Sequence, residues 1–171
     1  MIDYVSLALR VEQPEFVSQC AHPFLLSINE PMRLDSQPPE QTTLIFDKEP
    51  KPAPMQPVTG RPVVHAVRKE QLLIPQSIII GRASTSDIVI ADRQISKLHA
   101  LFQNVSERWE LSDAGSRNGT WVGGRRLDGK GEPAPVRSGD VLSFGRAAFF
   151  FLDAAGLWDR LRNKSPAQPR P

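Results

Sequence analysis

Residues 62–153 predict an all-β sandwich. The grounds are many short runs of strand-forming residues, turn chemistry between them every eight to twelve residues or so, and an Asn118-Gly119 pair, the strongest short-range hairpin signal. The strand candidates are 63–67, 78–80, 88–90, 98–102, 109–111, 120–122, 141–144 and 147–152. Turns are marked by Gly81, 84–87, Asn118-Gly119, Gly123-Gly124, 129–135, 138–140 and Gly145. Ahead of this region, Pro14 suits a first helical turn, Phe16 and Cys20 are four apart, and 24–28 reads as a short strand. Residues 1–30 therefore read as a small adjunct. Eight of the 16 prolines fall between 31 and 62, and proline supplies no backbone donor, so 31–61 reads as an extended linker with an apolar island at 42–46. At the other end, Leu157, Trp158 and Leu161 share a helical face, with Arg160, Arg162 and Lys164 biased toward its C-terminus. A helix over 154–164, capping the sandwich, and a disordered tail over 165–171 are expected.

Composition narrows the class. Hydrophobic residues make up 40% of the 171, ordinary for a soluble globular chain. The longest strongly apolar run, 147–152, is far short of the roughly 20 residues needed to cross a bilayer. Asp3 precedes any basic residue and no small-residue cleavage site follows, which argues against a secretory signal. A single cysteine, Cys20, excludes an internal disulfide and fits a reducing, cytoplasmic setting. Residues 1–61 hold 5 Lys or Arg against 8 Asp or Glu, whereas 77–153 hold 10 against 9. A nearly neutral region is a poor nucleic-acid binder, so any anion it holds is gripped by a few local cations.

The stretch DRQISKLHALF (92–102) sets Ser96 and His99 beside Arg93 and Lys97. Three chemistries compete for it. A hydrolase would use Ser96 as nucleophile, His99 as base and a carboxylate such as Asp113, but Ser96 lacks the small flanking residues of a nucleophile elbow and no helix pattern follows it. A metal site is no better supported, because His22, His65 and His99 are scattered and lack ligand spacing. An anion pocket explains more. Gly81-Arg82 ends a strand and presents a guanidinium at a loop mouth, Ser96 offers a hydroxyl, Lys97 a mobile charge, and Arg117 and Asn118 enter from another turn. Loops gathered at one end of a sandwich bring such distant residues together.

The ordered strings IGR (80–82), SDIVI (86–90), ISKLHA (95–100), WELSDAGSRNGT (109–120) and GDVLSFG (139–145) resemble a forkhead-associated (FHA) domain over roughly residues 62–153. The resemblance implies an FHA-type eleven-stranded β-sandwich that binds phosphothreonine peptides through loops at one end. It places Arg82 and Ser96 on the phosphate and Asn118 on the peptide backbone, with Lys97 and Arg117 as auxiliary contacts. Gly81, His99 and Gly119 fall at positions that shape the pocket without touching ligand. Two departures stand out. Arg117 occupies a position that is often threonine in the family, and Gly123 replaces a common asparagine.

The function so implied is a noncatalytic, phosphothreonine-reading adaptor in bacterial Ser/Thr kinase signalling, with no cofactor and no metal. Its partner would be a Thr-phosphorylated protein, a kinase or its substrate, with neither nucleic acid nor membrane involved. A phospho-independent scaffold and a serine hydrolase are the alternatives. Within QTTLIFDKE (41–49), Thr42 and Thr43 resemble the threonine pair that precedes the FHA domain in some small bacterial kinase-substrate regulators. Phosphorylated there, the N-terminal tail could occupy its own pocket, although a strand packed on an exposed sheet or a disordered linker is the favoured reading of this island.

Overall fold

A computed structural model describes residues 3–28, 62–70, 77–127, 129 and 133–162. The expectations for the linker at 31–61, for Thr42, Thr43 and the apolar island, and for the tail at 165–171 lie outside these residues. Helix α1 (Tyr4–Arg10) starts where the Asp3 carboxylate accepts from the Ser6 backbone N–H at 3.2 Å. Helix α2 (Gln13–Gln19) carries Pro14 in its first turn, where a missing N–H costs nothing. The strands follow as β1 (Phe24–Ser27), β2 (Val64–Ala66), β3 (Ser77–Gly81), β4 (Ile88–Val89), β5 (Ala100–Val105), β6 (Arg108–Asp113), β7 (Thr120–Val122), β8 (Arg125–Arg126), β9 (Ala134–Val136), β10 (Val141–Phe144) and β11 (Ala147–Leu152), and helix α3 (Ala154–Arg162) closes the order.

The eleven described strands form two sheets, β2-β1-β11-β10-β7-β8 and β4-β3-β5-β6-β9. Between them lies a core that includes Leu25, Ile80, Phe102, Leu111, Leu142, Phe144, Phe149 and Phe151. In β10 the alternation is plain, with Leu142 and Phe144 buried and Val141 and Ser143 half-buried.

The expectation of an N-terminal adjunct is corrected by β1, which lies inside the six-stranded sheet between β2 and β11. Its sequence FLL is apolar at successive positions because both of its faces are covered. Leu25 turns into the inter-sheet core, while Phe24 and Leu26 join Tyr4, Ala8, Phe16, Cys20, Leu152 and Leu157 in a second cluster. The same logic splits β11, where Phe149 and Phe151 face the sandwich and Phe150 and Leu152 face the helices. The helices thus make a third layer, and Leu157, Trp158 and Leu161 pack into it rather than over the inter-sheet core. Trp158 Nε1–H donates to the Val11 carbonyl at 3.0 Å, tying α3 to the end of α1. Full burial of Phe16, Phe24 and Leu157 contributes at most about 3 kcal/mol each.

Asn118-Gly119 is not a hairpin. It lies in the crossing between β6 and β7, which belong to different sheets. The two-residue hairpin falls instead at Gly123-Gly124, joining β7 to β8 with φ of 56° and 81°. Another joins β5 to β6 through Ser106 and Glu107, whose φ values of 50° and 65° are left-handed without a glycine. Replacing this pair by Asn-Gly is expected to stabilise the fold by about 1 kcal/mol, read as a higher denaturant midpoint. An unchanged or lower midpoint would contradict the strain.

Candidate functional site

The loops after β3, before β5 and between β6 and β7, together with the β10–β11 turn, meet at one end of the sandwich. Arg82 follows β3 directly. Its backbone N–H donates to the Ser96 carbonyl at 2.9 Å, and its Nε–H donates to the Ile95 carbonyl at 3.1 Å. These two bonds place the exposed guanidinium beside Ser96, and among the described residues its terminal nitrogens have no partner. The Ser96 hydroxyl accepts from the Arg117 backbone N–H at 3.0 Å, which still leaves its own proton to donate. Asn118 Nδ2 donates to the Gln94 carbonyl at 2.7 Å and to Gln94 Oε1 at 3.0 Å. Arg82, Ser96, Arg117 and Asn118 are therefore joined by a short chain of bonds through three loops. Lys97 is exposed and next to Ser96, with its own carbonyl accepting from the Ala83 N–H at 3.3 Å.

His99 braces this surface from below. It is fully buried, its Nδ1 accepts from the Ser96 backbone N–H at 3.1 Å, and its Nε2 lies 2.9 Å from the Gly119 carbonyl. An Nδ1 that accepts and a carbonyl that can only accept fix one tautomer, the neutral ring with its proton on Nε2. One imidazole thus ties the Ser96 loop to the turn that carries Asn118. Gly119 itself has φ of +85°, which glycine adopts without a Cβ penalty.

Burial pushes the His99 pKa down, with the Gly119 carbonyl and Asp113 opposing it; burial lowers His22 and His65 as well. A lowered folded-state pKa means that the fold favours the neutral ring. This stabilisation is complete above the unfolded value of about 6.5 and is lost as pH falls toward the folded values. The thermal midpoint is therefore expected to be flat between about pH 7 and 8 and to decline as the solution is acidified below 6.5. A midpoint that rises on acidification through this window would contradict it.

Asp113, which the sequence offered only as a triad carboxylate, instead organises the β6–β7 turn. It accepts from the Ser116 hydroxyl at 2.6 Å, the Thr120 hydroxyl at 2.6 Å and the Gly115 and Ser116 backbone N–H groups at 2.9 Å. Burial alone would raise its pKa, but these bonds to the ionised form outweigh burial and hold it below the usual carboxylate value. The Asp-x-x-Ser spacing before Asn-Gly was the signal available for this turn. Gln94, the partner of Asn118, had no comparable signal.

The geometry also removes the hydrolase arrangement. His99 meets the Ser96 backbone through Nδ1 and the Gly119 carbonyl through Nε2, so neither nitrogen is available to take a proton from the Ser96 hydroxyl. Among the described residues no group of three or more His, Cys, Asp or Glu could hold a metal ion. His22 packs against Tyr4 and Phe24, and His65 against Phe149.

What the site can do follows from its charges. Among the described residues, ion pairs form at Arg68–Glu70, Lys69–Asp87 and Arg162–Glu12, and none involves Arg82, Lys97 or Arg117. Three uncompensated cations, a hydroxyl donor and a side-chain amide on one loop surface suit a tetrahedral oxyanion.

The fold is a β-sandwich that gathers these cations on loops at one end. Residues 78–145 match the family model of the FHA domain. The chain is 37% identical over 81 residues, 47% of its length, to 9% of the ABC transporter ATP-binding/permease protein Rv1747 of Mycobacterium tuberculosis. It is 32% identical over 83 residues, 48% of its length, to 49% of the glycogen accumulation regulator GarA of the same organism. It thus spans about half of GarA and under a tenth of the transporter. In fold it is similar to the yeast Dun1 FHA domain solved with a doubly phosphorylated (pT) peptide derived from Rad53. That likeness has a TM-score of 0.50 at 20% identity and covers 78% of this chain and 75% of that one. No described helix is long and apolar enough to cross a membrane.

Proposed function

We propose that the domain is a phosphothreonine-reading adaptor that docks a Thr-phosphorylated partner protein at the Arg82–Ser96 surface. The observation that carries this reading is the bonded cluster itself. Arg82 and Ser96 are held side by side by a backbone bond of 2.9 Å, and the Arg117–Asn118 turn is tied to Ser96 by the Arg117 N–H donating to the Ser96 hydroxyl at 3.0 Å. In this reading Arg82 and Ser96 hold the phosphate, and Lys97 and Arg117 add charge at its edge. Asn118 meets the peptide backbone with its Oδ1, since Gln94 fixes only the amide nitrogen. Gly81, His99 and Gly119 set the shape without touching ligand.

A phosphate ester brings about −1.5 to −2 charge at pH 7, where the bare hydroxyl brings none. A cytoplasmic role in Ser/Thr kinase signalling fits this chemistry, with the kinase or one of its substrates as the partner. Thr42 or Thr43, once phosphorylated, would compete from within the chain, because tethering supplies a high effective concentration.

The test is a phosphothreonine peptide library read beside its unmodified twin. Selective capture of the phosphorylated set supports the reading, and equal capture of both sets would end it in favour of a phospho-independent scaffold.

A further inference from the structure

The edge of the pocket carries arginines that the phosphate contacts do not use. Strand β8 pairs with β7 so that Arg126 lies opposite Trp121, and the Arg126 guanidinium carbon sits 5.6 Å from the centre of a Trp121 ring. Such stacking holds a planar fork that would otherwise wander. The same guanidinium borders the pocket loop. A Cβ built on Gly119 would lie 2.9 Å from Arg126 Nε and 3.2 Å from its Nη2, and Gly119 directly follows Asn118.

Two further loops bring charge to the same place. The Gly145 N–H donates to the Gly119 carbonyl at 2.9 Å, and a Cβ on Gly145 would lie 3.3 Å from Asn118 Cβ, so the turn carrying exposed Arg146 abuts Asn118. Exposed Arg93 precedes Gln94, the hydrogen-bond partner of Asn118. Among the described residues none of Arg93, Arg126 and Arg146 forms an ion pair. Among the described residues, the carboxylates of these loops are engaged locally, Asp92 with the Gln94 N–H at 2.8 Å and Asp113 with its turn.

Residues 77–153 are almost neutral, with 10 basic against 9 acidic side chains, so this rim is a local concentration of charge rather than part of a basic face. A local cationic fork suits one carboxylate, whereas a polyanion needs an extended field.

We propose that the rim is a second anionic subsite that reads an aspartate or glutamate flanking the phosphothreonine, with Arg126 as the specificity-determining residue. This rests on the phosphothreonine reading above. A bound peptide advances about 3.3 to 3.6 Å per residue, so the rim is within reach of the positions close to the phosphothreonine. The stack on Trp121 orders the guanidinium before the peptide arrives, which lowers the entropy cost of the contact.

The experiment is a calorimetric scan of phosphothreonine peptides with alanine flanks, substituting aspartate at each flanking position in turn. In the parent protein, aspartate at one position is expected to tighten binding by about fivefold. The ratio of aspartate to alanine affinities should fall to about one in Arg126→Gln, which keeps a planar end over Trp121, and should drop below one in Arg126→Glu. No gain at any position, or a gain of the same size in Arg126→Gln, overturns the rim subsite while leaving the phosphate reading intact. If the alanine-flanked phosphopeptide binds no better than its unmodified twin, the phosphothreonine reading itself falls and the subsite with it.

Discussion

Arg82→Ala is expected to weaken binding of a phosphothreonine peptide by roughly a hundredfold or more while leaving the domain folded. The guanidinium has its terminal nitrogens free among the described residues, so it can offer two parallel bonds to phosphate oxygens. Charge-assisted bonds contribute about 1.5 to 3 kcal/mol each, and losing two of them costs roughly 3 to 6 kcal/mol, two to four decades in affinity. The structural cost is much smaller. The Arg82 backbone bond to the Ser96 carbonyl survives in alanine, and only the Nε–H bond to the Ile95 carbonyl is lost, about 1 kcal/mol. Calorimetry with a phosphopeptide, beside thermal unfolding of the same sample, separates the two. Equal binding by variant and parent would refute the assignment of Arg82. Lost binding together with a collapsed midpoint would show that the side chain is structural instead.

Much of this site was legible because its residues sit at turns, where side-chain chemistry and backbone geometry are written locally. Gly81-Arg82 reads as the end of an apolar strand, and the structure places it at the end of β3. Ser96, Lys97, Arg117 and Asn118 fall in loops, as their flanking residues imply. What failed was non-local. Asn118-Gly119 has the local chemistry of a hairpin, but the sheet to which a strand belongs is decided by tertiary pairing, so the pair became a crossing between sheets. Strand β8 was hidden because Arg125-Arg126 has no apolar member to reveal alternation. Strand β9 was hidden because it contains Pro135, which is tolerated only because β9 forms a sheet edge. The sequence marks β1 as a strand, but its place beside β11 is a pairing with residues that begin only at Ala147, and no local signal carries that register. Arg126 was missed for the same reason, since its neighbour Gly119 is brought to it by the β7–β8 pairing.

Gly81→Ala is expected to destabilise the domain by several kcal/mol and to disable the pocket in the same step. The reason is space, because Gly81 is not among the residues with positive φ. A Cβ there would overlap the Lys97 carbonyl oxygen and lie 2.8 Å from both the Lys97 carbonyl carbon and Ser86 Oγ. That carbonyl cannot easily retreat. It accepts from the Ala83 N–H at 3.3 Å and the Ser86 hydroxyl at 3.4 Å, and on either side Arg82 N–H is bonded to the Ser96 carbonyl and His99 N–H to the Ile80 carbonyl. Forcing one methyl into a packed site costs about 1 to 3 kcal/mol or more, and each backbone bond broken to make room adds about 1 kcal/mol. Each kcal/mol lowers the midpoint of a domain near 100 residues by roughly 4 to 8 °C, so scanning calorimetry reads the effect directly. The motion that relieves the clash also drives the Ser96–Lys97 loop away from Arg82, so surviving folded protein should bind phosphopeptide weakly. An unchanged midpoint would mean that the two loops separate freely, and the bonded cluster could then not be the preformed surface on which phosphate recognition depends.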